Sequence, residues 1–232
     1  MSVLSLSIAD KTDLINKHLE LVSYYNNTTN LTRIVDIQQA KILHIEDSLI
    51  ALKELNESPE GLYGDLGTGG GYPGIPLAIY TGRKTVLVDS VKKKIKILDT
   101  IITSLGLEGL ISTSSDRIEE LSLSKKGAFS VLTARALTSL PSLLELSSPL
   151  LQKNGRLISY KAQISDEELK NALSIQEITG MYLDTIREVT LSDNETQRKI
   201  ITFTKKHNAK IKLPRQNGLA QRKPLSVSRE TK

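Results

Sequence analysis

The sequence predicts an α/β protein: a doubly wound, mostly parallel sheet that ends in an antiparallel hairpin, with a helical cap at the N-terminus. Three observations carry this. From Leu62 onward, short apolar runs alternate with longer amphipathic ones, and the first of those runs leads into a dense glycine cluster. Near the C-terminus, two alternating segments face each other across the polar turn Ser192-Asp193-Asn194-Glu195.

The elements follow in chain order. Leu14, Ile15, Leu19 and Val22 make an apolar stripe at helical spacing, after a cap at Asp10 or Thr12. The polar stretch 26–30 breaks this helix. A second helix is expected from Ile37, behind Asp36 as cap, to Leu55, burying Ala40, Leu43, Leu49, Ile50 and Leu52. Neither helix belongs to the sheet, so residues 1–58 are read as the helical cap. His44 and Asp47, three apart on one helix face, are read as ties between cap and sheet rather than as reacting groups.

Strands are expected near 62–66, 84–89, 109–113, 128–133 and 155–160, with helices near 74–81, 91–105, 116–122 and 137–150 between them. Right-handed crossovers make these strands parallel. After a helix near 165–174, segments 181–190 and 197–204 form the closing hairpin, so the sheet domain spans 59–204 and a tail covers 205–232. Five parallel strands and a terminal antiparallel pair are the topology of class I methyltransferases.

Composition narrows the chemistry. The chain has 232 residues and no cysteine, which excludes disulfides, thiolate metal sites and a cysteine nucleophile. Its three histidines, His18, His44 and His207, have no metal-ligand spacing, so no metal is expected. No uncharged apolar run approaches the ~18 residues of a membrane span, and no basic segment with an apolar core opens the chain; a cytoplasmic monomer is expected. The formal charge is +5, but from Lys205 onward nine basic residues face one acid, Glu230, leaving the body at 5 − 8 = −3. A flexible basic arm on a mildly acidic body points to a polyanionic partner, RNA or DNA.

The segment Asp65-Leu66-Gly67-Thr68-Gly69-Gly70-Gly71-Tyr72-Pro73-Gly74 is the richest in information. Five glycines in eight residues exceed what a tight turn needs and let a ligand approach the main chain. Asp89 stands 22 residues beyond Gly67, at the end of the next apolar run, where it can accept from ribose hydroxyls. The dinucleotide pattern Gly-x-Gly-x-x-Gly would put its third glycine at Tyr72, whereas here it falls at Gly71. Asp-x-Gly-x-Gly-x-Gly is instead the pattern of methyltransferases that use S-adenosylmethionine. A dinucleotide-dependent oxidoreductase and a non-enzymatic RNA-binding assembly factor stay open at this point.

The run from Asp65 through Gly74 to Leu77 resembles the signature of the RsmG family, also called GidB, bacterial methyltransferases of small-subunit ribosomal RNA. Further marks stand in order: Asn30-Leu31-Thr32, His44-Ile45-Glu46-Asp47-Ser48, Val88-Asp89-Ser90, Arg117-Ile118-Glu119-Glu120, Ala134-Arg135-Ala136 and Tyr160-Lys161. The resemblance implies methyl transfer from S-adenosylmethionine to N7 of one guanine in 16S rRNA, free or in the 30S subunit. It places cofactor contacts on Gly67, Tyr72, Asp89, Ser90, Val91, Ile118, Glu119 and Arg135, to which the glycine pattern adds Asp65, Gly69 and Gly71. Arg135 is expected to be catalytic, holding the donor's carboxylate or a target phosphate with its planar fork. Arg33, Lys161, Arg215, Arg222 and Lys223 are the expected RNA contacts.

Overall fold

In the computed structural model, residues 3–226 are described. Helix α1 runs Ile8–Asn26 and is capped by Ser7, ahead of the expected Asp10 or Thr12. The Ser7 hydroxyl accepts from the Asp10 amide while Asp10 accepts from the Ser7 amide, so Asp10 is the second half of a capping box. Asp36 caps α2 (Ile37–Ala40) by accepting from the Gln39 amide at 2.7 Å.

The single helix expected from Ile37 to Leu55 is broken. A π-helical turn (Lys41–Glu46) and the short helices α3 (Asp47–Leu49) and α4 (Leu52–Asn56) follow α2. Their buried face is not the apolar one: Leu43, Leu49, Ile50 and Leu52 are half-buried, whereas His44, Asp47, Ser48 and Glu54 are buried beside Ala40, Ala51 and Leu55. Polar groups tolerate burial when paired: the His44 imidazole shares a hydrogen bond with the Thr32 hydroxyl at 2.7 Å, and the other three find partners on the sheet. Asp47 accepts from Arg135 and Arg198, Glu54 from Arg187, and the Ser48 carbonyl from the Tyr160 hydroxyl.

The sheet and its helices follow as β1 (Leu62–Leu66), α5 (Gly74–Thr81), β2 (Thr85–Val88), α6 (Lys92–Ser104), β3 (Ile111–Ser114), α7 (Ile118–Ser124), β4 (Phe129–Arg135), α8 (Leu140–Ser147), β5 (Leu151–Lys161), α9 (Asp166–Ser174), α10 (Gln176–Thr179), β6 (Met181–Thr190), β7 (Gln197–Lys205) and α11 (Leu219–Arg222). Seven strands lie in the order β3-β2-β1-β4-β5-β7-β6, with β7 antiparallel between β5 and β6. β5 begins earlier than expected because the register jumps from Phe129 opposite Leu151 to Val131 opposite Arg156, looping out residues around Asn154 (φ +65°). The strand order turns back between β1 and β4, where doubly wound sheets open their ligand crevice.

Alternation along the strands separates two packed faces. Leu66, Leu132, Ala134, Ile201 and Phe203 meet α7, α8 and α9 on one side. On the other, Ile15, Leu19 and Val22 of α1 join α5, α6, Leu87 and Ile111, while Ala51 and Leu55 join Tyr63, Val131, Ile158 and Ile200. No helix among the described residues is long and apolar enough to cross a membrane.

The described part of the C-terminal segment is not a free arm. Lys205 ends β7, buried, with its ammonium donating to the carbonyls of Ser148 (2.6 Å) and Leu151 (2.7 Å). Arg215 forks onto the buried Glu145, and Ala220 is buried under the Ser142 hydroxyl. The acids that make the body negative are partly the partners of this segment, so attraction lays it against the surface. Arg229 and Lys232 of the basic count, and the acid Glu230, lie outside the described residues.

Candidate active site

A cleft of about 270 Å³ opens at the carboxyl ends of β1, β2 and β4, lined by Gly67, Gly69, Asp89, Ser90, Lys94, Asp116, Arg117, Ile118, Glu119, Ala136, Leu137 and Gln221 among others. Gly67 turns the chain at φ +73°, and a Cβ there would stand 2.6 Å from a Leu137 methyl. Gly69 has φ +57°, and its amide donates to the Asp89 carboxylate at 3.2 Å. The other Asp89 oxygen accepts from the Val91 amide at 2.9 Å, which fixes the carboxylate at the cleft with lone pairs to spare for a diol.

Asp65 is placed differently. It is fully buried beneath the loop, accepting from the Gly74 amide at 3.0 Å and the Thr133 hydroxyl at 2.7 Å. Burial pushes its carboxyl pKa up, with the bonds from Thr133 and Gly74 opposing that shift. A carboxylate therefore sits on the first turn of α5, the place where a dinucleotide fold seats its pyrophosphate. The amides of Gly71, Tyr72 and Ile75 are also spent on loop carbonyls. These features disfavour a diphosphate and fit a cofactor whose anchor is a ribose. The lining of the cleft, an acceptor carboxylate on Asp89 beside apolar Val88, Ile118 and Leu137, fits S-adenosylmethionine.

A second pocket, about 410 Å³, lies beside the first and shares Ala136 with it. Its walls include Ile34, Asp47, Arg135, Tyr160, Lys161, Gln163 and Arg198. Asp47 is clamped between Arg135 Nη1 at 2.7 Å and Arg198 Nε at 2.8 Å, and Arg135 also donates to the Leu43 carbonyl. One carboxylate shared by two guanidinium groups leaves a net positive charge with unspent donors facing the pocket. Ala136 itself takes φ +52°, a left-handed conformation that costs a non-glycine residue about 1–2 kcal/mol.

Residues 11–201 match the GidB family, described as rRNA small subunit methyltransferase G. The chain belongs to this family. GidB-family relatives named Ribosomal RNA small subunit methyltransferase G include one from Clostridium novyi (strain NT), 32% identical across 90% of this chain and 87% of its own. Another, from Oceanobacillus iheyensis, is 34% identical across 89% of this chain and 87% of its own. Among solved structures, the O-methyltransferase from Bacillus cereus in complex with SAH superposes with a TM-score of 0.57 over 82% of this chain and 90% of that one. At 17% identity that likeness concerns the fold: a class I S-adenosylmethionine methyltransferase architecture.

Within this GidB-family chain, the cleft gathers Gly67, Gly69, Asp89, Ser90, Ile118 and Glu119 of the expected cofactor set. Asp65, Gly71, Tyr72, Val91 and Arg135 are not on its walls. Tyr72 is buried instead between two imidazoles, stacked on His44 at 4.4 Å and tilted against His18 at 4.5 Å, with the Arg135 guanidinium 5.7 Å from its ring. Gly71 is crowded by Ile75 and His18, and Val91 turns to the polar 26–30 loop. Arg135 stands in the second pocket.

Of the expected RNA contacts, Arg33, Arg222 and Lys223 are exposed. Lys161 lines the second pocket but donates to Glu168 at 2.8 Å and to the Thr138 carbonyl. Arg215 is held by Glu145. Sequence reasoning missed Lys94, Asp116, Leu137 and Gln221 in the cleft and Arg198 in the second pocket. Only the position of Asp116, just past a strand end, carried a local signal.

Proposed function

We propose that this protein transfers a methyl group from S-adenosylmethionine to N7 of a guanine in small-subunit 16S rRNA, acting as a single chain in the cytoplasm. The observation that carries this reading is the meeting of the two cavities at Ala136: a cleft with a ribose-accepting carboxylate opens beside a cationic pocket. The relatives' names support the RNA substrate, and the family resemblance supports the position on the base.

S-adenosylmethionine, when bound, supplies an electrophilic methyl group on a sulfonium. The chain's own task is placement. Asp89 holds the ribose, Gly67 and Gly69 allow close approach, and Ile118 with Leu137 exclude water from the ring. Arg135 and Arg198, oriented by Asp47, take a phosphate or carbonyl oxygen of the target nucleotide. Guanine N7 carries an in-plane lone pair and no hydrogen, so it needs no general base, and alignment alone can supply ~7–11 kcal/mol. The base must leave its stack to enter a pocket of this kind. In this reading residues 1–58 form a cap that contributes Asp47, residues 59–204 carry most of the cofactor cleft, and the described part of 205–232 adds Gln221 to its lining.

Incubating the protein with small-subunit rRNA and methyl-labelled S-adenosylmethionine, then resolving the nucleosides, tests the proposal. Label in 7-methylguanosine is expected. Label confined to another nucleoside rejects the N7 assignment, and no label on either naked rRNA or 30S subunits rejects the enzyme reading.

A further inference from the structure

We infer that the C-terminal segment forms the outer wall of the cofactor cleft and that Gln221, on α11, pairs with the edge of the purine bound there. This inference rests on the S-adenosylmethionine reading of the cleft. Gln221 lines the cleft together with Asp116, Arg117, Ile118 and Glu119, although it lies more than a hundred residues from them in sequence.

Its position is fixed from both sides. The Gly218 amide donates to Glu119 Oε1 at 2.7 Å, and Asn217 Nδ2 donates to Glu120 Oε1 at 2.7 Å. One step before Gln221, Ala220 is buried and its carbonyl accepts from the Ser142 hydroxyl at 2.8 Å. Upstream, Arg215 makes a two-pronged contact with buried Glu145. Gly218 turns the chain into α11 at φ +72°, which suits glycine.

The chemistry of the wall follows. One oxygen of Glu119 is spent on Gly218, so that carboxylate acts first as the tie that seats α11. Ile118 offers an apolar surface to a ring face. The Gln221 carboxamide brings a donor and an acceptor, the complement of a purine edge with an exocyclic amine beside a ring nitrogen. The segment is thereby part of the cofactor site.

Calorimetry with S-adenosylhomocysteine and with its analogue lacking the exocyclic amine tests this on the full chain. Wild type should lose affinity by about tenfold when the amine is removed, the worth of one such hydrogen bond. Gln221→Ala should bind S-adenosylhomocysteine about tenfold more weakly than wild type and lose little more when the amine is removed. Native affinity in Gln221→Ala, or the same amine penalty in both proteins, overturns the inference. Gln221→Glu, which keeps an acceptor for the amine but loses the donor to the ring nitrogen, should bind S-adenosylhomocysteine more weakly than wild type yet still lose affinity when the amine is removed; absence of that amine penalty counts against the inference. Failure of wild type to bind S-adenosylhomocysteine at all would instead remove the cofactor reading beneath it.

Discussion

Single residues decide the site in ways their local sequence does not announce. Gly67 is a case where it does: φ +73° strains any other residue, and a Leu137 methyl only 2.6 Å from where a Cβ would stand would have to shift. Gly67→Ala should cost about 1–2 kcal/mol of stability from the backbone alone, and should weaken S-adenosylhomocysteine binding by more than tenfold in calorimetry. A native affinity would mean the ligand does not approach there. Asp47 is the opposite case. Its place on a helix face reads as a tie to the sheet, but nothing nearby in sequence names its partners: it is buried and bonded to Arg135 and Arg198. Asp47→Ala leaves two guanidinium groups facing each other, and urea titration should find a loss of about 3–5 kcal/mol. Arg135 and Arg198 were unequally legible: the first ends an apolar strand, the second is one polar residue among several on a hairpin.

At the level of elements, the strands were readable because a period of two survives in short apolar runs and because glycine and polar turns punctuate them. The segment from Ile37 to Asn56 was not. A binary pattern assumes that polar residues face water, and here the buried stripe is His44, Asp47, Ser48 and Glu54, of which the last three are matched to arginines and a tyrosine far along the chain. The same burial makes the packing of α1 and the π-helical turn sensitive to pH. Burial holds the His18 imidazole down at about 4 and, with the Arg135 charge, His44 at about 4 as well. Both take up protons more readily unfolded, near 6.5, so their contribution is intact above that pH and is lost as the pH falls toward 4. For fully buried His18 this amounts to about 3 kcal/mol. Asp65, its carboxyl raised by burial, acts in the opposite sense and recovers some stability as the pH falls through its folded-state pKa. Denaturant midpoints measured between pH 7 and 4 should fall with acidification, and His18→Gln should flatten that slope; a parental slope in the variant would remove His18 from the effect.

For the whole molecule, net charge misleads about where the cations act. The basic C-terminal stretch suggested a free arm, but Lys205 and Arg215 are internal ties while Arg222 and Lys223 remain exposed. The composition was legible; the acids that would receive it were scattered from Glu119 to Glu177 and were not. Replacing Arg222 and Lys223 together by Gln should lower the slope of log affinity for rRNA against log salt by roughly 1–2, with unchanged thermal stability. Arg215→Gln should instead lower the melting temperature, because it leaves Glu145 buried without its partner. An unchanged salt slope in the double variant would take α11 off the RNA.

The buried acid beneath the glycine loop has a wider implication. Asp65 gives its oxygen to the opening turn of α5, so the positive pole that other nucleotide folds offer to phosphate is already neutralised from within. A side chain buried beneath the loop thus alters what the crevice can offer to an anion. Swapping that acid for its amide would be the first step in any attempt to retrain the crevice for phosphorylated guests.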